Sequence, residues 1–173
     1  TEIYSQNLDG SDLRRLTNHP ARDAFPTFSP DGTQIVFNSN REDENLDVYI
    51  MNADGSDVRR LTNWPSDEEA FPGCWSPDGT QIFFASSQPG KGNIYTMNVE
   101  PFAPTAVIPN ATENLHFPSY SSDGRKIVFQ IANEDKTGEI RVMDVGTKQI
   151  STVTKTQTTD GYPKFSPDGS SII

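Results

Sequence analysis

The chain repeats itself every 45 or 46 residues, and that periodicity constrains its fold more than any other feature. Four segments align: Phe25-Pro-Thr-Phe-Ser-Pro-Asp-Gly32, Phe71-Pro-Gly-Cys-Trp-Ser-Pro-Asp-Gly79, Phe117-Pro-Ser-Tyr-Ser-Ser-Asp-Gly124 and Tyr162-Pro-Lys-Phe-Ser-Pro-Asp-Gly169. Their first prolines, Pro26, Pro72, Pro118 and Pro163, are spaced 46, 46 and 45. A second landmark keeps step: Ile3-Tyr4, Val48-Tyr49, Ile94-Tyr95 and Ile140-Arg141, each followed three residues later by Asn or Asp. A third is Leu13-Arg-Arg-Leu-Thr17 and Val58-Arg-Arg-Leu-Thr62, with weaker copies at Thr105–Ile108 and Ile150–Val153. Three landmarks sharing one period do not arise by chance.

Each unit reads as four short strands. The first lies around Phe25 to Phe28. Ser-Pro-Asp-Gly then makes a tight turn, with Pro presetting φ, Asp bonding locally and Gly taking the exit geometry. Gln34-Ile-Val-Phe37 is nearly continuous in apolar residues, as expected of a strand buried on both faces. Val48 to Met51 is the third strand. Val58 to Leu61 is the fourth, and its Arg59 and Arg60 mark an outer edge that discourages pairing with other chains. No stretch carries a helical period. A four-strand module of about 45 residues is the blade of a β-propeller. A sandwich of unrelated hairpins would not require such strict repetition.

The expected fold is therefore all-β, with four-stranded antiparallel blades, about four per chain. Whole blades are expected at 24–68, 69–115 and 116–160. Residues 1–23 read as the second half of a further blade and 161–173 as its first half, a split blade joined from the two termini. If those halves pair across two chains instead, a homodimer closes a larger ring.

Composition narrows the function. Fourteen Lys and Arg against 24 Asp and Glu give a net charge of −10 and a pI of about 4.5. Nucleic acid is excluded as a partner on that ground, since it requires a basic footprint. The longest apolar runs, such as Ile82 to Ala85, are too short for membrane insertion. The one cysteine, Cys74, rules out an internal disulfide and a multi-cysteine metal cluster. It reads as a small hydrophobe beside Trp75. No G-x-S-x-G elbow is present, and Gly90-Lys91-Gly92 is too short for a phosphate loop. His19 and His116 have no partner motif, so both read as structural.

The string Phe-Pro-x-Phe-Ser-Pro-Asp-Gly-x-x-Ile-Val-Phe, followed by Val-Tyr-x-Met-Asn-x-Asp-Gly-Ser-x-x-Arg-Arg-Leu-Thr, resembles the WD-like repeat of the TolB C-terminal propeller family. Similar blades occur in the propeller domains of prolyl-oligopeptidase-type and tricorn-type peptidases and in oligogalacturonate lyases. The resemblance implies that the first strand of each blade runs along a central channel. The position three before each repeated proline would then line the channel mouth. It is held by Asp23, Glu69, Leu115 and Asp160. Three carboxylates meeting on one axis repel unless a cation or basic group joins them. Ca²⁺, which accepts several carboxylate oxygens, is the candidate cofactor. A plainer reading stays open, in which these acids cap strand starts or face water. The acidic stretches Arg41–Asn45 and Asp67–Glu69 read as solvated surface. The recurring aromatics (Phe25, Phe71, Phe117, Tyr162; Phe28, Trp75, Tyr120, Phe165) read as filling between blades.

These features point to a non-catalytic, TolB-like binding module for a protein or peptide partner, and the resemblance implies a periplasmic or secreted location. The alternative is an accessory propeller of a larger peptidase- or lyase-type enzyme.

Overall fold

A computed structural model describes residues 1–63, 70–86, 93–100, 103–108, 111, 113–132, 138–154 and 160–173. The chain divides into two compact units, Thr1–Pro72 and Gly73–Ile173. The described residues are all strand, turn and loop, with no helix, and none therefore contains a helix long and apolar enough to cross a membrane.

The first unit holds β1 (Tyr4–Ser5), β2 (Arg14–Arg15), β3 (Asp23–Phe28), β4 (Gln34–Ser39), β5 (Asp47–Asn52) and β6 (Arg59–Arg60). The strands β3 to β6 pair in sequence order as one antiparallel sheet, and β1 and β2 form a two-stranded ribbon. The apolar run read as a doubly buried strand is β4, where Ile35 to Ser39 are all buried, and its partner β5 is buried from Asp47 to Met51. Phe37 stands opposite Tyr49 with ring centroids 5.8 Å apart. Ile3 and Leu16 of the ribbon join Ile35, Phe37, Tyr49 and Met51 in one core. The ribbon and sheet touch closely at Gly55, where a Cβ would stand 2.5 Å from the Leu16 carbonyl oxygen. Its φ of +88° also favours glycine.

Two further four-stranded sheets follow. One is β7 (Ala70–Trp75), β8 (Gln81–Ser86), β9 (Asn93–Asn98) and β10 (Thr105–Ala106); the other is β11 (Asn114–Tyr120), β12 (Lys126–Ala132), β13 (Gly138–Asp144) and β14 (Ile150–Thr152). In the second unit Phe83, Ile94 and Val107 pack with Leu115, Ile127, Phe129, Ile131 and Met143, so one core runs between these two sheets. The all-β, four-stranded blade architecture read from the repeat is the architecture observed. The fourth strands are shorter than expected: β6 is Arg59–Arg60 alone, and β10 is Thr105–Ala106.

The Ser-x-Asp-Gly turns are built identically. The Ser29 hydroxyl donates to Asp31 Oδ1 at 2.6 Å and accepts the Gln34 N–H at 2.9 Å, while Thr33 N–H donates to the same carboxylate oxygen at 3.0 Å. Gly32 closes the turn with φ +72°, its N–H 2.9 Å from the Ser29 carbonyl. The same bonds recur around Ser76 and Asp78, Ser121 and Asp123, and Ser166 and Asp168.

The Phe-Pro step has a geometry that sequence reasoning missed. Register shifts between Ala24 and Thr27 in β3, and between His116 and Ser119 in β11. Pro26 and Pro118 have no N–H for the ladder, so the strand bulges there. The residue before each proline takes a left-handed backbone: Phe25 φ 54°, Phe117 φ 51° and Tyr162 φ 57°. Such a conformation costs a bulky residue about 1–3 kcal/mol.

Candidate functional site

Asp23 opens β3 and is buried, with no side-chain exposure. Its carboxylate already has a counter-charge. Arg41, from the loop after β4, places Nη2 3.0 Å from Oδ1 and 3.1 Å from Oδ2. Arg41 is itself held by Ser39 Oγ at 3.0 Å from Nε, and its guanidinium lies over the rings of Phe37 and Tyr49 at 5.2 and 5.1 Å. Desolvated cation–π contacts of this kind fix a guanidinium firmly.

The other expected channel-mouth residues have different surroundings. Leu115 is buried in the second unit's core. Asp160 Oδ2 accepts a 2.7 Å bond from the Thr154 hydroxyl, which in turn accepts the Ile140 N–H at 3.1 Å. Asp160 thus ties the segment after β14 to β13. Glu69 lies outside the described residues, as do Asp67, Glu68 and Gly90-Lys91-Gly92. Among the described residues no group of three or more His, Cys, Asp or Glu is placed to hold a metal ion.

A second acidic device was not foreseen. Asp47, the first residue of β5, is buried and receives Thr62 Oγ1 on Oδ1 at 2.5 Å. The same hydroxyl accepts the Val48 N–H at 2.9 Å. Arg60 reaches Asp47 Oδ2, Asp43 and, at 3.2 Å, Glu42, while its Nε donates to the Thr62 carbonyl at 2.7 Å. The first ribbon repeats the device with Glu2, Arg15 and Thr17. Both copies separate acid from Arg by 13 residues and acid from Thr by 15. That doubled spacing is a sequence signal, and it also corrects the view of Arg41–Asn45 as plain solvated surface: Glu42 and Asp43 grip Arg60. Burial opposes the Arg60 charge, but Asp43, Asp47 and Glu42 together hold it above its ordinary pKa. Burial pushes Asp47 up against Thr62 and Arg60, which favour its anion. The two partners differ because Arg60 gathers three carboxylates and Asp47 only one guanidinium.

The aromatics divide into two classes, which corrects their reading as uniform filler. Trp75 is buried and Tyr120 packs edge-on to Phe83 at 4.6 Å. Phe25, Phe117 and Tyr162 are 54%, 38% and 72% exposed, and Phe28 is exposed as well. Phe25 and Phe117 sit at strand bulges, off the alternating pleat that carries side chains inward, and Tyr162 lies at the equivalent step outside any strand. Phe117 and Tyr162 form a tilted pair with centroids 4.1 Å apart, and His116 lies 5.8 Å from Phe117. Burial holds His116 below its ordinary pKa. Arg22 lies 6.0 Å from the Phe25 ring.

The remaining singular residues are structural. His19 Nδ1 accepts the Ala21 N–H at 3.2 Å within its loop. Cys74 packs against the second core, and burial pushes its thiol up to about 11, out of the reactive range.

Repeated four-stranded sheets, Ser-x-Asp-Gly turns and bulged Phe-Pro steps define a β-propeller protein of the TolB-like, WD-like repeat class. The model of the tricorn protease N-terminal β-propeller domain matches residues 1–88, and the chain belongs to that family. The Tol-Pal system protein TolB of Francisella tularensis subsp. mediasiatica is 27% identical over 172 residues, which is 98% of this chain and 39% of the relative. The crystal structure of TolB from Acinetobacter baumannii superposes with a TM-score of 0.80 at 26% identity, covering 99% of this chain and 42% of that one. An oligogalacturonate lyase in complex with manganese shares the fold, with a TM-score of 0.75 at 18% identity over 99% of this chain and 49% of the other. The chain thus spans about two fifths of the length of the TolB proteins it matches.

Proposed function

We propose that this chain is a non-catalytic, TolB-like propeller module that binds a protein or peptide partner. The observation that carries the reading is the exposed Phe117–Tyr162 pair, held in a strained backbone at a repeated position. Backbone strain at an exposed aromatic does nothing for the core, and strain that persists without a packing reason marks binding surfaces. Aromatic rings anchor interfaces with large contact area and little entropy loss. The net charge of −10 steers cationic segments toward the module. Arg41 supplies the counter-charge for Asp23, so the reading does not depend on Ca²⁺.

The partner is a basic segment with an aromatic or proline anchor, and the setting is periplasmic or extracellular, by likeness to TolB. The ribbon β1–β2 has two strands where each of the other sheets has four, and a second copy of the chain is a proposed source of two more. A second reading is favoured by the family match, which is to a domain of a protease: the chain serves as accessory propeller to chemistry carried on another domain.

Panning a phage library of random 12-residue peptides on the chain tests the first reading. Enriched basic, aromatic- or proline-containing peptides should bind the native chain and lose binding to Tyr162→Ser. An absence of enrichment, or peptides indifferent to Tyr162→Ser, overturns it. Hydrolysis of peptides, or eliminative cleavage of oligogalacturonate, by the isolated chain overturns the non-catalytic assignment.

A further inference from the structure

The first unit carries nearly the same octapeptide twice. Ser11-Asp-Leu-Arg-Arg-Leu-Thr-Asn18 and Ser56-Asp-Val-Arg-Arg-Leu-Thr-Asn63 differ only at Leu13 and Val58. Both copies have the same backbone, with the aspartate left-handed at φ 55° for Asp12 and 54° for Asp57. Both lay the arginine pair as a short strand at a sheet edge, with Arg15 opposite Tyr4 and Arg60 opposite Tyr49. A trypsin-like endoprotease holds an arginine in an acidic pocket, and an exposed sheet edge is already in the extended form that strand-type recognition takes. By sequence alone the two copies are equal substrates.

Their surroundings are not equal. The side chains of Arg14 and Arg15 are 63% and 44% exposed, those of Arg59 and Arg60 36% and 13%. Arg15 meets one carboxylate, Glu2, whereas Arg60 gathers Glu42, Asp43 and Asp47. Leu13 is exposed, while Val58 packs against the first core. The strand β2 belongs to a sheet of two strands and β6 to a sheet of four. A two-stranded ribbon is marginal by itself and opens at lower free energy than a strand of a larger sheet. Proteolysis of a folded chain follows the population of the open form when opening is fast. A third basic pair, Arg125-Lys126, runs into the start of β12, which is paired on both sides.

We propose that the Arg14–Arg15 bond is a processing site for an endoprotease of trypsin-like specificity, and that the acidic loop bearing Glu42 and Asp43 shields the matching pair Arg59-Arg60. The protease takes the guanidinium of Arg14, the most exposed of the four. Water then splits the amide: its hydroxyl ends on the Arg14 carbonyl carbon and its hydrogen on the Arg15 nitrogen. The cut breaks the covalent link between β1 and β2, so Glu2 keeps Arg15 and Thr17 through hydrogen bonds alone. In the second copy the same attack requires Arg60 to leave three carboxylates and Val58 to leave the core. The site is separate from the Phe117–Tyr162 pair and does not depend on peptide binding.

Brief digestion of the full native chain with a low dose of trypsin tests the proposal, with fragments read by intact-mass spectrometry. Only complementary fragment pairs from single cuts are scored. Cleavage at Arg14-Arg15 should run at least about tenfold faster than at Arg59-Arg60. Synthetic octapeptides Ser11–Asn18 and Ser56–Asn63 should be cut at equal rates, which assigns the difference to structure. Glu42→Gln combined with Asp43→Asn should speed cleavage at Arg59-Arg60 about threefold and leave Arg14-Arg15 unchanged. Glu42→Gln alone, at a mostly exposed carboxylate, should give a smaller rise in the same direction if circular dichroism shows that the double variant has lost its fold. Equal rates at the two pairs in the native chain, or no cut at Arg14-Arg15, overturns the processing site. A tenfold difference already present between the octapeptides, or an Arg59-Arg60 rate that neither folded variant raises, overturns the shield.

Discussion

Thr62 Oγ1, just past β6, ties the chain back to the start of β5: it donates to Asp47 Oδ1 at 2.5 Å and accepts the backbone N–H of Val48 at 2.9 Å. One hydroxyl thus satisfies a buried carboxylate and a buried amide at the entrance of β5. Thr17 does the same for Glu2 and Ile3 in the ribbon.

Replacing Thr62 by Val keeps the shape and removes both bonds. The Asp47 anion and the Val48 N–H are then buried with fewer partners, which costs about 1–3 kcal/mol. Urea unfolding of Thr62→Val should show a lower midpoint with unchanged slope. Thr17→Val should cost less, because Arg15 and its ribbon are more exposed than Arg60. Equal midpoints for Thr62→Val and the native chain would remove the bridge from the stability argument.

The turns make the fold sensitive to acid in a defined window. Hydrogen bonds from Ser29 and Thr33 lower Asp31 below its usual value of 3.8, and Asp78 and Asp123 are lowered by their own Ser and backbone donors. Asp168 is held at about 2 by Ser166 and Ser170, and Glu2 at about 2 by Arg15 and Thr17. A lowered carboxylate binds fewer protons folded than unfolded, so its contribution is complete above the ordinary value and lost as pH falls through the folded value. Melting temperature should therefore drop steeply between about pH 4 and pH 2. His116, lowered by burial, starts a shallower loss below its ordinary 6.5, by the same sign. His116→Gln should flatten the profile just below pH 6.5 and leave the steep acid limb intact.

Arg41 and Asp23 form a buried pair, and deleting one member strands the other. Arg41→Gln should cost about 3–5 kcal/mol, and Asp23→Asn combined with Arg41→Gln less than the two changes added. The pair also bears on cation binding. Native melting temperature should be insensitive to millimolar Ca²⁺, because Arg41 occupies both oxygens of Asp23. A clear rise with Ca²⁺ in the native chain would show that a cation competes with the guanidinium.

The strand modules were legible because their signals are local. A Ser-x-Asp-Gly turn and an apolar run such as Gln34–Phe37 each dictate structure within a few residues, and repetition at fixed period multiplies the signal. Asp23, Glu69, Leu115 and Asp160 were singled out by alignment alone, which cannot say what each side chain touches. Arg41, 18 residues from Asp23, sits in an acidic loop that gives no hint of its partner. The Arg60 cluster was hidden differently: two adjacent arginines in a short fourth strand look like a solvated edge until the loop bearing Glu42 and Asp43 meets Arg60. The strained aromatics were hidden because a Phe before Pro suggests extended backbone, and only the missing N–H in a paired strand forces the bulge.

The ribbon β1–β2 predicts a solution property. If a second copy supplies two strands to it, light scattering at micromolar concentration should give twice the 19.1 kDa of one chain. Charged substitutions that cap the ribbon, such as Tyr4→Lys at its exposed first strand, should return the mass to that of one chain. A single-chain mass for the native protein at every concentration would end that proposal.

Strain at Tyr162 separates stability from function. Tyr162→Gly removes a left-handed aromatic, which relieves about 1–3 kcal/mol of backbone cost. Against that, glycine loosens the unfolded chain by roughly 1 kcal/mol, and the tilted ring contact with Phe117, about 0.5–1.5 kcal/mol, is lost. The terms nearly cancel, since Tyr162 is mostly solvent-exposed and contributes little to a core. Chemical unfolding should place Tyr162→Gly within about 1 kcal/mol of the native chain, while peptides selected on the native protein lose at least tenfold in affinity, about 1.4 kcal/mol. Tyr162→Phe, which keeps ring and strain, should retain binding. A large loss of stability in Tyr162→Gly would show that the ring is structural after all, and unchanged affinity would move the partner surface elsewhere.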